Sequence, residues 1–428
     1  MSSPEKKDLA ACPVVIVGCG LGGIAAAAAL RQGGHSVLVL EQDVLPMQPL
    51  PRRGVPQSGQ LHNLLTRGQI HMEELLPGFR KRLLAAGARE VPVATGTRVF
   101  EFGIAMPSRD LGLRMVCAPR PLIENVARQL LQEDDGVRIR HGVRVAGLDL
   151  SPENSVAGVI LDSGAHRERV EASLIVDASG FRAEGKQWLE QAGLPVPRVD
   201  RRRVSRWYAT QEVKRPTSKA FDRSWMIFPT PPRTRSGIIS PSGTGSWHVS
   251  LSGASGDAPP RSWTDLRAYA ETLEVSWIAE LLGEGEPVGA PRVFRRPFST
   301  WHRYDLQEEP VVGLLPIGDA LMCLDPLLGQ GMSVAAWHAS ILAKILARTN
   351  HRSLSAELTK AYLSHAAVAC ETAWELGEVA VERRASAEMQ ELGAQLARDP
   401  ELHRRYVSAW HLTEHADVIR KAFAAIRP

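Results

Sequence analysis

The sequence predicts an α/β fold (α+β overall), in which a parallel sheet is interrupted by antiparallel strands and closed by helices. Three observations predict it. The run Val14-Val15-Ile16-Val17 leads into a glycine-rich turn, an alanine-rich helix and a second apolar strand, "SVLVLEQD". From Asp200 to about Gly253 the pattern changes to short strands between turn residues: "RWYATQEV", "SWMIFPTP", "SGIISPSG" and "SWHVSLSG". A further apolar strand, "PVVGLLPIGDA", returns three hundred residues after the first glycines, and everything beyond Ser353 reads as helix.

The first element, "CPVVIVGCGLGGIAAAAAL", carries no charge from Cys12 to Leu30 and follows Lys6-Lys7. Basic residues before an apolar run suit a secretion signal. Four glycines in six residues, Gly18 to Gly23, argue against that and against a membrane span. Gly18, Gly20 and Gly23 instead stand at G-x-G-x-x-G spacing, and Glu41 closes the second strand. Gly18 permits a tight turn, Gly20 lets a pyrophosphate approach the backbone, and Gly23 lets helix and strand pack closely. The helix N-terminus offers free N–H groups to the phosphates, and Glu41 can accept both hydroxyls of an adenosine ribose. Without a ligand the same turn would be only a tight strand–helix junction.

The chain of 428 residues, 44% hydrophobic, is long enough for two or more domains. Its 51 basic and 47 acidic residues are scattered, whereas a nucleic-acid protein concentrates its positive charge. The densest basic cluster, Arg201-Arg202-Arg203 with Arg206, reads as a solvated strand edge or an interface patch. Five widely spaced cysteines (Cys12, Cys19, Cys117, Cys323, Cys370) form no C-x-x-C pair, so neither a metal site nor a disulfide framework is expected. With no signal or transmembrane segment, the expected location is the cytoplasm.

Residues 1–11 read as a polar tail. After Glu41 comes a Pro-rich loop, then a helix expected from about Leu61 to Leu76. "TRVFEFG" and "LRMVCAP" read as strands and "RPLIENVARQLLQE" as an amphipathic helix. "GVRIRHGVRVAGLDL", "SVAGVILD" and "HRERVEASLIVDASG" read as a meander ending in an apolar strand. Two helices are expected near Ser262–Leu273 and Ser276–Leu282, and a long one near Met332–Arg348.

In "GLLPIGDALMCLDPLLGQGMSVAAWHASILAKIL", Gly318-Asp319-Ala320 places a carboxylate at a strand's C-terminal edge, where ligands bind in α/β folds. The turn Gly329-Gln330-Gly331-Met332 then opens a helix, whose N-terminal dipole favours negative charge. A reduced flavin carries its charge on the N1–C2 carbonyl edge, which suits such a helix start. Asp319 could accept a hydrogen bond from a ribityl chain. Alone this stretch would read as an ordinary loop; the N-terminal glycine motif changes the balance.

The two motifs, their separation and the sheet-rich block between them resemble the FAD-dependent monooxygenases of the para-hydroxybenzoate hydroxylase fold. "RRGVPQSGQLHNLL", "EELLPG", "VDASGFRAEGKQWLEQAGLP" and "GDALMCLDPLLGQGMS" are similar to a bacterial natural-product branch that includes polyether epoxidases. The resemblance covers nearly the whole chain. It implies a Rossmann-like FAD-binding domain with an inserted antiparallel β-sheet substrate domain and a helical C-terminus. The implied FAD-binding parts are residues 12–199, with a substrate-side insertion at about 65–115, and 292–350. The substrate sheet would be 200–291 and the helical region 351–428. The resemblance further implies that Gly18, Gly20, Gly23 and Glu41 hold the adenosine half of FAD. Arg120 would contact its pyrophosphate or ribityl region, and Val145 would place its backbone on adenine. Asp319, Gly329, Gly331 and Met332 would hold the ribityl and isoalloxazine. NADPH or NADH would be the co-substrate, and no second nucleotide fold for it is visible.

Departures bear on the reaction. Phenol hydroxylases carry Asp-Gly where this chain has Asp177-Ala178-Ser179-Gly180, and a His near the place of Met322. Epoxidase relatives often read Val-Pro-Gln-x-Arg-His-x-His; here Val55-Pro56-Gln57 and His62 remain, but Gly59-Gln60 replaces Arg-His. His62 then reads as a cap or packing residue rather than a catalytic one. No catalytic side chain is singled out, and no base is evident in the strand-rich block. Oxygen transfer to an alkene needs dryness and positioning rather than a protein base, whereas a phenol is aided by one. Trp207, Tyr208, Trp225, Phe228 and Trp247 suggest an aromatic roof over a flat or prenylated substrate. Oxidative rearrangement of alkylated quinolones, of the aurachin type, is one chemistry that fits. A flavin halogenase would carry Trp-x-Trp-x-Ile-Pro, which "SWMIFPTP" lacks. A prenyl-chain reductase and a non-redox cyclase or isomerase that keeps FAD remain as alternatives.

Overall fold

The structure, a computed structural model, describes residues 14–152, 155–162, 167–214, 223–243, 245–254, 256–349, 356–381 and 386–426. The N-terminal tail and Cys12 lie outside the described residues. Five parallel strands form the first sheet in the order Leu314–Pro316, Leu174–Asp177, Val14–Val17, Val37–Glu41, Val137–His141. Val14 pairs with both Leu174 and Val37, so the first strand lies at the centre. It is buried on both faces, as a continuous apolar run should be.

The helix Leu21–Gln32 covers one face of this sheet. Ala25 to Ala29 are all buried, and their small side chains let the long helix Gly331–Thr349 pack closely beside it. A Cβ at Gly22 would already touch Ala335 at 3.5 Å. The first glycine motif and the last one, some three hundred positions apart in the sequence, are thereby brought together.

The second sheet has eight strands, in the order Met322–Cys323, Glu286–Arg303, Arg198–Lys214, Ser246–Ala254, Ser236–Pro241, Ser224–Ile227, Thr97–Glu101, Ile104–Ala105. It is antiparallel except at one join: Ser224–Ile227 runs parallel to Thr97–Glu101, with Met226 opposite Val99. The early segment expected as an insertion therefore supplies two strands of this sheet. Two small three-stranded sheets complete the β-structure: Asn63–Leu64, Arg114–Cys117 and Arg89–Pro92, and the meander Arg144–Leu150, Val156–Asp162 and Arg167–Glu171.

The helix expected from Leu61 begins at Thr66, because Asn63-Leu64 first pairs with Val116-Cys117 as a strand. Arg202 of the basic cluster sets its guanidinium over Trp374 and donates to that residue's carbonyl at 2.8 Å. Cys19, Cys117, Cys323 and Cys370 are buried free thiols. No described helix is long and apolar enough to cross a membrane.

The aromatic roof needs correction. Tyr208 and Phe228 line the space beneath the sheet, but Trp207, Trp225 and Trp247 do not. Adjacent strand residues point to opposite faces, so Trp207 turns away from Tyr208 and packs at 5.0 Å on Tyr269. Trp225 meets Trp277 edge-on at 5.8 Å. The helices Trp263–Ala270 and Trp277–Gly283 cover that outer face, making it a second core.

Candidate functional site

A cavity of about 330 Å³ runs from the carboxyl ends of the parallel strands to the inner face of the large sheet. Of the ten residues singled out in the sequence, nine line it: Gly18, Gly20, Glu41, Arg120, Val145, Asp319, Gly329, Gly331 and Met332. Gly23 does not. A Cβ there would overlap the carbonyl oxygen of Gly18, so Gly23 serves the packing of helix on strand. Gly18 has φ +107°, a conformation L side chains rarely adopt, and a Cβ would overlap the Ala178 carbonyl. Gly20 differs: a Cβ would find nothing closer than Glu124 Oε1 at 3.7 Å and Arg120 Nη2 at 4.0 Å. The fold does not require glycine at 20, whereas a ligand lying against its backbone would.

Glu41 is fixed from two sides. Its Oε2 accepts from the Cys19 amide at 2.8 Å and its Oε1 from the Asp43 amide at 2.9 Å. Arg52 Nη1 lies 2.9 Å from Glu41 Oε2, and Arg52 Nη2 donates to Glu124 Oε2 at 3.0 Å. Glu124 in turn accepts from Arg120 Nε at 2.8 Å. The buried chain Glu41–Arg52–Glu124–Arg120 thus crosses the cavity wall beside the glycine turn. Arg52 stood in the quoted motif "RRGVPQSGQLHNLL" without a role, and Glu124 was not singled out. The i,i+4 spacing of Arg120 and Glu124 was the available signal. Burial pushes the Glu124 carboxyl up, but Arg120 and Arg52 hold it below its ordinary value. Burial and the Glu41 charge push the Cys19 thiol up to about 12, leaving it un-ionised.

At the other motif, Gly331 starts the long helix, and a Cβ on it would stand 3.6 Å from Asp319 Oδ1. Asp325 caps the short turn before it, accepting from the Leu327 amide at 3.1 Å. Gly329 follows with φ +65°. Burial and the Asp319 charge push the Cys323 thiol up, so it too stays neutral.

His62 lines the cavity with Nδ1 at 2.9 Å from the Gln60 carbonyl. Burial and the Arg120 charge lower it to about 3, so it is neutral at physiological pH. Gln60, in the position of a missing histidine, ties the loop to the large sheet. Its Nε2 donates to the Arg292 carbonyl at 3.0 Å, and its Oε1 accepts from the Thr210 hydroxyl at 2.8 Å. Arg206 and Arg296 face each other across adjacent strands, with Arg206 Nε 3.9 Å from Asp325 and Arg296 on the cavity wall.

Two further features escaped the sequence reading. The helix Pro400–Trp410 forms a cavity wall through His403, Tyr406, Val407 and Trp410, a single face at helical spacing. Glu101 lines the same region and accepts from the Tyr406 hydroxyl at 2.7 Å. The two-residue period of "TRVFE" puts Thr97, Val99 and Glu101 on one face, and that alternation was the readable sign.

Comparison with known proteins agrees with this geometry. Residues 11–375 match the family model described as FAD binding domain. Protein Rv3254 of Mycobacterium tuberculosis is 29% identical over 362 residues, 81% of this chain and 76% of that one. The FAD-dependent monooxygenase ntnJ of Nectria sp is 25% identical over 357 residues, 79% and 77% of the two chains. Among solved structures, the flavin-dependent brominase Bmp2 superposes with a TM-score of 0.74 at 18% identity, over 97% of each chain. The chain belongs to the FAD-binding domain family, and within it stands with the flavin-dependent monooxygenases.

The residues present fit FAD. The turn at Gly20 is open where the fold does not need it to be, and cationic Arg120 stands beside it. The anchored Glu41 carboxylate keeps lone pairs for further donors. The helix start at Gly331 faces the same cavity.

Proposed function

We propose that this chain is a single-component monooxygenase, using NADH or NADPH and molecular oxygen. It epoxidises or hydroxylates an electron-rich C=C bond of a largely apolar or aromatic secondary metabolite. The observation that carries this reading is the continuity of the cavity. Its one end holds the glycine turn, Glu41 and Asp319; its other is walled by Met106, Met115, Met226, Phe228 and Trp410.

Gly18, Gly20 and Glu41 hold the adenosine half of FAD, with Gly23 keeping the turn closed. Arg120 meets the pyrophosphate or ribityl region and Val145 the adenine. Asp319 and Gly329 to Met332 take the ribityl and isoalloxazine. Bound FAD supplies hydride acceptance and oxygen activation. The Gly331 helix start offers N–H groups to negative charge on the ring edge. The methionines and aromatics exclude water and hold the C=C bond in place. In balance, substrate, O2, NAD(P)H and a proton give oxygenated substrate, water and NAD(P)+. The likeness to the polyether epoxidase branch supports epoxidation. An epoxide beside a nitrogen or hydroxyl would open and rearrange to an alcohol or ketone.

Two measurements test this. Mixed anaerobically with NADH or NADPH, the flavin absorbance should bleach without a partner reductase. Under labelled oxygen gas the product should gain one labelled atom. Product without label would favour the reductase or cyclase reading.

A further inference from the structure

We propose that Glu101 and Tyr406 form a polar anchor in the substrate half of the cavity. The anchor receives an ionisable O–H or N–H borne by the electron-rich ring, and Glu101 accepts that proton. The inference rests on the monooxygenase reading above and narrows its substrate: an apolar body with one donor group conjugated to the reacting C=C bond.

The geometry assigns the role. Glu101 ends the strand Thr97–Glu101, on the face shared with cavity-lining Thr97 and Val99. Its Oε1 accepts from Tyr406, and its Oε2 has no hydrogen-bond partner among the described residues. No cation pairs with it there; Tyr406 is the only titratable group acting on it. Glu101 is half-buried, its exposed part facing the cavity, and an acid withdrawn from water without a cation is costly unless a ligand or a proton satisfies it. Met106, Met226, Phe228, Val407 and Trp410 supply apolar wall, with Thr97 and His403 as polar lining on the same strand and helix faces. A carboxylate there offers a donor group a strong acceptor beside largely apolar walls, and a site built around such an acceptor selects for the donor.

The surroundings leave Glu101 free to exchange a proton near neutrality. Burial pushes its carboxyl up to about 7, and the Tyr406 hydroxyl offsets only part of that. From the neighbouring strand Met226 faces the cavity, and from the helix Ser386–Arg398 Gln390 and Gly393 meet this hairpin; none carries charge. On the Tyr406 face, His403 is lowered to about 4 by burial and by Arg109, and so is neutral. In the step proposed, the substrate O–H or N–H bond breaks and its proton passes to Oε2. The electron pair stays on the heteroatom and enriches the conjugated C=C bond toward an electrophilic oxygen. Nothing is oxidised or reduced in this step.

The alternative is a purely structural tie between strand and C-terminal helix, and binding selectivity separates the two. The probes are 2-naphthol, which carries the donor, and its methyl ether, which does not. Binding to FAD-loaded protein is measured by tryptophan fluorescence well below and well above about pH 7. Wild type should prefer naphthol by about tenfold or more at the higher pH, as expected for a hydrogen bond to a charged acceptor. That preference should shrink at the lower pH and vanish in Glu101→Gln, with flavin content unchanged. Tyr406→Phe, which keeps the carboxylate, should retain a preference. Equal binding of the two probes, no binding of naphthol, or a preference surviving in Glu101→Gln overturns the anchor. Failure to load FAD counts against the cofactor reading instead, and the same probe pair on FAD-free protein still decides the anchor.

Discussion

Tyr208, on the long strand Arg198–Lys214, directs its hydroxyl to the carboxylate of Asp325, 117 positions further along the chain. Asp325 is also the cap of the turn leading to Gly329 and the Gly331 helix. One hydrogen bond therefore ties the large sheet to the loop assigned to the isoalloxazine. Tyr208→Phe leaves the buried carboxylate one donor short, which costs on the order of 1–3 kcal/mol. The expected outcome is a lower melting temperature and weaker FAD retention, followed by flavin fluorescence on dilution. Unaltered retention would show that this tether does not order the flavin loop.

The three glycines of the first motif should separate by mutation. Gly23→Ala places a Cβ into the Gly18 carbonyl, and Gly18→Ala adds strain at φ +107°, so both should give little folded protein. A Cβ at Gly20 meets no such overlap, so Gly20→Val should fold with the wild-type circular dichroism spectrum, yet purify without FAD. A flavin-replete Gly20→Val protein would remove the pyrophosphate from this turn.

The buried chain Glu41–Arg52–Glu124–Arg120 predicts acid sensitivity. Burial raises the Glu124 carboxyl, but the two guanidinium groups win and its folded pKa is depressed. A depressed acid contributes stability above its unfolded value, near 4.3. That contribution is lost as pH falls through the folded value. Glu124→Gln leaves Arg120 and part of Arg52 uncompensated, a loss on the order of 3 kcal/mol at neutral pH. The gap to wild type should narrow below about pH 4. Urea titrations across pH measure it, and a gap independent of pH would mean the pair carries no net charge interaction.

The elements legible in the sequence were those whose signal is local. Strand, glycine turn, helix and acid follow one another within Val14 to Glu41, so their spacing alone located one end of the cavity. Asp319 and the Gly329–Met332 turn were readable for the same reason. What stayed hidden depends on contacts between distant segments. Arg52 becomes meaningful only when Glu41 and Glu124 converge on it, and Glu101 only when Tyr406 arrives from 305 residues away. The aromatic residues misled because composition does not reveal which face of a strand is covered: Trp207 and Tyr208 are neighbours with opposite surroundings.

The Glu101 carboxyl predicts a dependence on pH opposite to that of Glu124. Burial raises its folded pKa to about 7, above the value near 4.3 of an unfolded chain. A raised acid contributes its full stability below the unfolded pKa. It loses that contribution as pH rises through the folded one, by about 1.4 kcal/mol for every tenfold difference between the two acid constants. Wild type should therefore weaken between about pH 4 and about pH 7 through this group. Glu101→Gln keeps the shape and can still accept from Tyr406 through its amide oxygen, but it cannot ionise. The variant should match wild type under acid conditions and exceed it in melting temperature above about pH 7. The measurement is paired thermal unfolding of FAD-free protein across that range, which keeps ligand linkage out of the comparison. Parallel stability curves for the two proteins would mean that Glu101 ionises as freely in the folded chain as in the unfolded one.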